Sequence, residues 1–317
     1  MPTIPRGAEP SPDRSIWLVL DLKAVKRGSL EEQLLVLATR LEQSGFRPTY
    51  VFATEPPDWF REDFARAGAD LRVLDFRHPA RALLPFARWM TVERPRLVHF
   101  HFVRGHSPLV AAARLAGATV LVHDHLALGV SFRDLQPRQA LVESIVQRAK
   151  QLRASIVNEL VAAHIAVSDF VARSLAQAEF VPPQAIDIIE HGVDVAKLAA
   201  TDGRKVRQEL GVGARSIVAC ASRMAPEKGV DVLIRAFART PGDALLVLAG
   251  GGPDVERCRE LARELGVADR VRFLGLRNDV AAIFASCDIA VVPSRAPEAF
   301  GLAVIEAMAV GKPVIVS

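Results

Sequence analysis

The sequence has little of what marks several large classes of protein. Only three cysteines occur in 317 residues, and Cys220, Cys258 and Cys287 form neither a CxxC metal motif nor a disulfide framework. Lys and Arg outnumber Asp and Glu by only 40 to 36, a thin excess for a nucleic-acid-binding protein. No run approaches the roughly 18–20 apolar residues of a membrane-spanning helix, and the N-terminus lacks the apolar core of a signal peptide. These absences predict a soluble, cytoplasmic protein.

What the sequence does contain is a regular alternation of two kinds of segment. Short apolar runs alternate with amphipathic patterns such as Leu30–Leu41, whose apolar residues recur every three or four positions. This alternation predicts βαβ units and parallel sheets. Seven strands are predicted in the first part of the chain, at 16–20, 49–53, 71–74, 97–102, 120–123, 164–167 and 186–189. Five more are predicted at 216–221, 245–249, 271–274, 289–292 and 314–316.

The pattern restarts near residue 190, which divides the chain into two predicted domains. Residues 1–14 are predicted to be a disordered tail, 15–190 a first domain and 191–317 a second. Both domains are expected to be α/β, doubly wound and Rossmann-like, and to face one another across a cleft at the carboxyl ends of their strands. The last predicted strand has no helix after it to cover it, so the second domain is predicted to be incomplete.

The segment 293–313 carries the most informative pattern in the chain. A strand ends at Pro293, a turn follows, and the apolar spacing beyond the turn predicts a helix. Phe300, Gly301 and Leu302 are expected in the first turn of that helix. Free backbone N–H groups and the helix dipole favour an anion at such a position.

Two glutamates of the same segment, Glu298 and Glu306, stand eight positions apart. On a continuous helix this spacing is a rise of about 12 Å, which exceeds the roughly 5–9.5 Å between the carboxylates of a glycosidase. The spacing favours two carboxylates that hold separate hydroxyl-bearing parts of one elongated ligand. A helix-capping glutamate beside an ordinary surface glutamate is the alternative.

Two cations follow the first strand of the second domain. Arg223 and Lys228 lie in the turn before a predicted helix, where they suit a diphosphate because arginine can bind it with two hydrogen bonds. Two exposed surface cations are the alternative. The glycines around Gly251 end the next strand and would let a ligand approach the backbone, although an ordinary helix-entry turn has the same sequence.

Four histidines end two neighbouring strands of the first domain. His99 and His101 close one strand, and His123 and His125 close the next. Three interpretations stay open: contacts to a sugar or an acceptor, a zinc or iron site, or structural histidines. Gly28, in the turn after the first strand, is a candidate for close approach to a phosphate or a sugar.

A basic stretch covers residues 77–104, with six arginines against one acidic residue, and with Phe86 and Trp89 interleaved. Contact with an anionic membrane or with an acidic acceptor is one interpretation. A solvated helix face is the commoner origin of such a run.

Together these segments resemble glycosyltransferase family 4, the retaining nucleotide-sugar glycosyltransferases with the GT-B fold. The resemblance is close over 186–317 and looser before it, where Gly28, the strand ending in His101, and His123 carry it. The segments that carry the close part are Arg223 with Lys228-Gly229, the turn 250–253, the strand 271–275 and the motif 293–314.

The resemblance implies a role for each candidate residue. Arg223 and Lys228 would hold the donor diphosphate and offset the charge on the departing nucleotide. Glu306 would accept hydrogen bonds from the ribose hydroxyls. Glu298 and the backbone N–H groups of Phe300 and Gly301 would bind the donor sugar, with Gly251 and Leu302 also placed at the donor. Gly28 would close over the phosphates, and His123 would contact the sugar near the reacting carbon.

The resemblance also implies a nucleotide-diphosphate sugar as donor, a hydroxyl group as acceptor, and no requirement for a metal or another cofactor, which fits cations rather than an acidic Asp-x-Asp pair at the phosphates. A nucleotide-sugar epimerase or hydrolase of the same fold is the alternative. A metal-dependent hydrolase built on the four histidines and a non-catalytic binding protein are further alternatives.

Overall fold

The computed structural model describes residues 14–23, 28–126, 148–149, 152, 155–178 and 181–317. The predicted tail lies outside these residues apart from Arg14. The chain forms two compact units, one containing the first strand and residues 30–190, and the other containing residues 28–29 and 191–317. Each unit is built around one parallel sheet with helices between its strands.

The first unit contains a seven-stranded sheet in the order β3-β2-β1-β4-β5-β6-β7. Its strands are β1 (Ser15–Leu20), β2 (Arg47–Phe52), β3 (Asp70–Val73), β4 (Leu97–His101), β5 (Thr119–Asp124), β6 (Ala163–Ala166) and β7 (Ile186–Ile188). Its helices include α1 (Ser29–Gln43), α2 (Asp58–Arg66), α3 (Pro79–Glu93), α4 (Pro108–Leu115) and α5 (Asp169–Ala178). The strand order reverses between β1 and β4, which is the position where doubly wound sheets bind ligands.

The second unit contains a five-stranded sheet in the order β10-β9-β8-β11-β12. Its strands are β8 (Ile217–Ala221), β9 (Leu245–Ala249), β10 (Val271–Gly275), β11 (Ile289–Val292) and β12 (Val314–Val316). Its helices are α6 (Val195–Ala199), α7 (Arg204–Leu210), α8 (Val230–Phe237), α9 (Val255–Glu264), α10 (Val280–Ser286) and α11 (Leu302–Ala309), and a 3₁₀ turn covers Pro226–Lys228. The order reverses between β8 and β11.

Apolar burial explains why these segments form these elements. All five residues of β9 are buried, as expected for a strand covered by helices on both faces of a parallel sheet. The buried residues of α8 lie at positions 230, 233, 234 and 237, which is the spacing of one helical face. The prediction of two Rossmann-like α/β domains is therefore confirmed.

The predicted strands differ from the observed ones mainly at their ends, and one difference has a clear cause. The strand predicted over 97–102 ends at His101, because Phe102 adopts a left-handed backbone with φ of 61°. A side chain with a Cβ is strained in that conformation. The chain therefore leaves the sheet directly after His101.

None of the helices in the part of the chain that the structure describes is both long enough and apolar enough to cross a membrane. The three cysteines are free and buried, in agreement with the absence of a disulfide framework in the sequence.

Candidate functional site

The switch point of the second sheet brings two turns of the chain side by side. One turn follows β8 and contains Arg223 and Lys228, and the other follows β11 and contains Glu298. The backbone N–H of Arg295 donates to the carbonyl of Glu227 over 2.9 Å. A Cβ on Gly229 would lie 2.0 Å from the carbonyl oxygen of Pro293. Only a glycine therefore allows the two turns to approach this closely.

The centre of this site is an ion pair between the two turns. Lys228 Nζ donates to Glu298 Oε1 over 2.6 Å, and the two side chains are only 27% and 31% exposed. Ser294, a buried residue directly after β11, donates its hydroxyl to the same carboxylate oxygen. These contacts hold Glu298 and Lys228 at the carboxyl end of the sheet. The role of Ser294 was not predicted from the sequence, although its position directly after a predicted strand is a signal that could have identified it.

Arg223 lies in the same turn but has a different partner. Its guanidinium pairs with Glu227 and its side chain is 62% exposed. In the described state, therefore, both predicted cations are balanced by carboxylates. An anionic ligand of this site would exchange with those carboxylates.

The glycines 250–252 lie close against the turn that follows β8. Gly250 and Gly252 have positive φ, and a Cβ on them would lie 1.9 Å from the carbonyl oxygen of Ser222 and 2.2 Å from that of Met224. At these two positions the chain itself fills the space that a side chain would occupy, so the close packing of the two turns requires glycine. Gly251, between them, would place a Cβ at an ordinary 3.4 Å from the side chain of Leu276.

The N-terminus of α11 lies just after the turn that holds Glu298. Gly301 adopts a left-handed backbone with φ of 84° and caps the helix, which begins at Leu302. Phe300 precedes the helix and packs edge-on against His191, with ring centroids 5.4 Å apart. The prediction that Phe300 and Gly301 lie within the first turn is therefore wrong by one or two residues, because the left-handed Gly301 interrupts the helical backbone.

Of the two glutamates, only Glu306 lies in this helix, where it is half-buried. Glu298 lies in the turn before it, so the rise worked out for a continuous helix does not apply to this pair.

In the first unit, the four histidines lie on one face of the sheet. His101 and His123 are paired in register between β4 and β5. The rings of His99 and His123 are nearly parallel with centroids 5.4 Å apart, and those of His99 and His101 are 4.1 Å apart. The Nδ1 atom of His101 and the Nε2 atom of His125 share a hydrogen bond of 2.9 Å. Burial lowers the pKa of His99 to about 4, so its ring is neutral at pH 7.

Two further predicted features are Gly28 and the basic stretch. Gly28 directly precedes α1, is half-buried and belongs to the second compact unit. Of the basic stretch, the part Pro79–Glu93 forms α3, in which Phe86 and Met90 are buried in the core while Leu84 and Val92 are 77% and 73% exposed. Arg81 and Arg88 are exposed on the same helix.

Two family models match the chain. The model of Glycosyltransferase Family 4 matches residues 30–197, and the model of glycosyl transferases group 1 matches residues 203–317. Together they extend over both units.

Named relatives match to different extents. A GDP-mannose-dependent alpha-(1-6)-phosphatidylinositol monomannoside mannosyltransferase of Mycobacterium tuberculosis is 30% identical, over 92% of this chain and 77% of that protein. A D-inositol 3-phosphate glycosyltransferase of Mycobacteroides abscessus is 39% identical, over 42% of this chain and 31% of that protein. The match thus spans about a third of the latter. In fold, the chain is similar to Anabaena HepE in complex with UDP-glucose, with a TM-score of 0.74 and 23% identity over 95% of this chain and 80% of that one.

Proposed function

Because the chain belongs to glycosyltransferase family 4, we propose that it transfers a sugar from a nucleotide-diphosphate donor to a hydroxyl group of a glycan, a lipid or a small molecule. We further propose that the transfer retains the anomeric configuration and needs neither a metal nor another cofactor. The observation that supports this most is the Lys228–Glu298 pair, held at the switch point of the second sheet and just before the N-terminus of α11.

The geometry supports the assignment of different residues to different parts of the donor. Lys228 and Arg223 would bind the diphosphate once they exchange their present carboxylate partners for phosphate oxygens. Their charge would then stabilise the leaving nucleotide, and electrostatic stabilisation of this kind is usually the largest contribution to catalysis. Glu298, released from Lys228, would accept hydrogen bonds from the sugar hydroxyls. The backbone N–H groups of Phe300 and Gly301 would donate to the hydroxyl oxygens of the same sugar.

The remaining assignments follow the resemblance residue by residue. Glu306 is proposed to bind the ribose hydroxyls, while Gly251 and Leu302 lie beside the donor. In the first unit, His123 is proposed to contact the sugar near the reacting carbon. Gly28, just before α1, is proposed to lie beside the phosphates. Cations suit a metal-free diphosphate site, because their charge replaces that of a divalent ion.

The nucleobase is an experimental question with two leading candidates. The mycobacterial relative is named for GDP-mannose and the Anabaena structure contains UDP-glucose. A panel of GDP- and UDP-sugars, assayed for release of the nucleoside diphosphate with EDTA present, identifies the donor. Release that depends on an acceptor supports transfer, whereas release without any acceptor supports the hydrolase alternative.

Two variants test the proposed site. Lys228→Ala and Glu306→Ala are expected to lower donor turnover by about 10²–10³-fold, the usual effect of removing one electrostatic contact at a reacting centre. The matched controls are Lys205→Ala and Glu256→Ala, at exposed positions on α7 and α9. Unchanged activity in both site variants would refute the proposal. Proton NMR of the first product formed shows whether the anomeric configuration is retained.

We also propose that the protein acts in the cytoplasm with peripheral contact to an anionic membrane. The exposed Leu84 and Val92 lie among the exposed arginines Arg81 and Arg88 on α3, a combination of apolar and cationic groups that suits a lipid headgroup region. Sedimentation with phosphatidylglycerol vesicles should show binding that weakens at high salt and in Arg81→Gln/Arg88→Gln. Binding that is absent at low salt would refute this part.

A further inference from the structure

The histidine cluster of the first unit has a geometry that the proposed transfer does not require. His123 alone has a proposed contact to the donor sugar, yet His99 and His101 lie against it. One ring nitrogen from each of His99, His101 and His123 can be chosen so that all three lie within 4.8 Å of one another. Alternate residues of a strand point to the same face of a sheet, and the register of β4 and β5 brings the two strands' histidines together.

Three imidazoles in this arrangement fit a transition-metal ion. Zinc binds histidine nitrogen at about 2.0–2.1 Å in a tetrahedral arrangement, so its nitrogen ligands stand about 3.4 Å apart. The nitrogens of the cluster would need to close by up to about 1.4 Å, which rotations of the three imidazole rings about χ2 provide, since that torsion is broad in histidine. Imidazole is a ligand that suits zinc, copper and nickel.

Two further observations favour a metal site over three histidines with only a structural role. His99 Nε2 is buried and has no hydrogen-bond partner among the described residues, and leaving a buried polar atom in that condition is costly. His125 bonds the Nδ1 atom of His101. When the proton lies on that Nδ1 atom, the Nε2 atom of His101 presents a lone pair. Ligating histidines are commonly held by such a bond through their second nitrogen.

We propose that His99, His101 and His123 bind one divalent transition-metal ion, with Zn²⁺ as the representative of its class, and that the bound ion inhibits the enzyme. The inhibition rests on the proposed function, because a metal ion bound to His123 would remove that side chain from the donor sugar. The binding of the ion does not depend on the proposed function. The ion would be a regulator or an inhibitor, and turnover would proceed without it.

The binding is tested by isothermal titration of ZnCl₂ into the metal-free 317-residue chain in a buffer that does not chelate zinc. We expect one equivalent to bind, and His99→Gln and His123→Gln to weaken it by tenfold or more. His78→Gln, a change at an exposed histidine before α3, is the matched control and should bind as the unmodified chain does. No binding, or equal binding by all four proteins, would overturn the proposal.

A measurement on the unmodified chain covers the case in which a variant does not fold. Co²⁺ replaces Zn²⁺ in sites of this kind, and its visible spectrum distinguishes a four-coordinate nitrogen site from the octahedral aqueous ion, because coordination geometry is diagnostic of ligand type. We expect intense visible bands that disappear when Zn²⁺ is added. A spectrum of the aqueous ion would overturn the site.

The inhibition is tested by turnover of the identified donor with EDTA and with a stoichiometric excess of Zn²⁺. We expect a loss of tenfold or more with zinc that EDTA reverses and that is smaller in His99→Gln. Zinc that binds without changing turnover would overturn the inhibitory part alone. Absence of turnover with every donor would refute the proposed function and this inhibition with it, while the titration would still decide whether the site exists.

Discussion

The substitution Glu298→Gln should separate the two tasks that the second unit is proposed to perform. In the described state, Glu298 Oε1 accepts a hydrogen bond from Lys228 Nζ at 2.6 Å, with both side chains largely shielded from water. A diphosphate must compete with this carboxylate for the lysine. Glutamine keeps the size of the side chain but removes its charge. The competition therefore weakens while the shape of the site is preserved.

The size of the effect follows from the strength of the pair. A hydrogen bond to a charged group contributes about 1.5–3 kcal/mol, and solvent screening of a partly exposed pair reduces this toward about 1 kcal/mol. Since 1.4 kcal/mol is about a factor of ten in an equilibrium constant, the affinity for the nucleoside diphosphate should rise by roughly five- to tenfold. Turnover of the nucleotide sugar should fall by about 10²–10³-fold, because Glu298 is the proposed contact to the sugar hydroxyls.

Calorimetric titration with UDP and GDP measures the first effect, and steady-state kinetics with the matching sugar measures the second. Lys228→Gln is the comparison, in which both the nucleoside diphosphate affinity and the turnover should fall. If Glu298→Gln loses diphosphate affinity as strongly as Lys228→Gln does, then Glu298 positions the lysine for the diphosphate, and the exchange described above does not occur.

Three further predictions concern stability and reactivity. Gly252→Ala should destabilise the second unit by about 2–4 kcal/mol, since the added Cβ would lie 2.2 Å from the carbonyl oxygen of Met224. In the comparison variant Gly211→Ala, the added Cβ meets no described atom within 4 Å, so the loss of stability should be only about 1–2 kcal/mol. The stability of the first unit should fall by up to about 3 kcal/mol as the pH drops from about 6.5 to 4, because the unfolded chain protonates His99 before the folded chain does. Iodoacetamide should leave Cys220 unmodified at pH 8, since burial raises its pKa to about 11.

Each of these has a direct control. Denaturant unfolding compares the two glycine variants, and equal losses would mean that the turn tolerates the contact with Met224. Unfolding in a pH series compares the unmodified chain with His99→Gln, in which the acid loss should shrink; identical slopes would assign that loss to other groups. Mass spectrometry follows the alkylation, and rapid labelling of Cys220 in the folded chain would contradict its burial.

The strand positions could be predicted from the sequence because they depend on local patterns. β9 is a continuous apolar run of five residues, and α8 places its apolar residues on one face. Both patterns can be recognised without knowledge of the rest of the chain, since burial determines the spacing of the apolar residues in each element. For the same reason the two-domain α/β architecture was predictable.

Contacts between distant residues could not be predicted in this way. Lys228 and Glu298 are 70 positions apart, and their pairing depends on β8 and β11 being neighbours in the sheet. The glycines 250–252 show the same limit, because the sequence indicates freedom of the backbone but not what fills the space beside it. Phe102 ended its strand through a strained conformation that its residue type does not favour.

We propose that the second unit binds a nucleoside diphosphate through cations and without a metal. The most direct test is the thermal stability of the chain with UDP, GDP, ADP and their sugars, each with EDTA present, for the unmodified protein and for Lys228→Ala. A ligand at 100 times its dissociation constant stabilises the folded state by about 2.7 kcal/mol. We expect this stabilisation for one nucleotide class and its loss in Lys228→Ala. Stabilisation by none of them, or equal stabilisation of the variant, would contradict it.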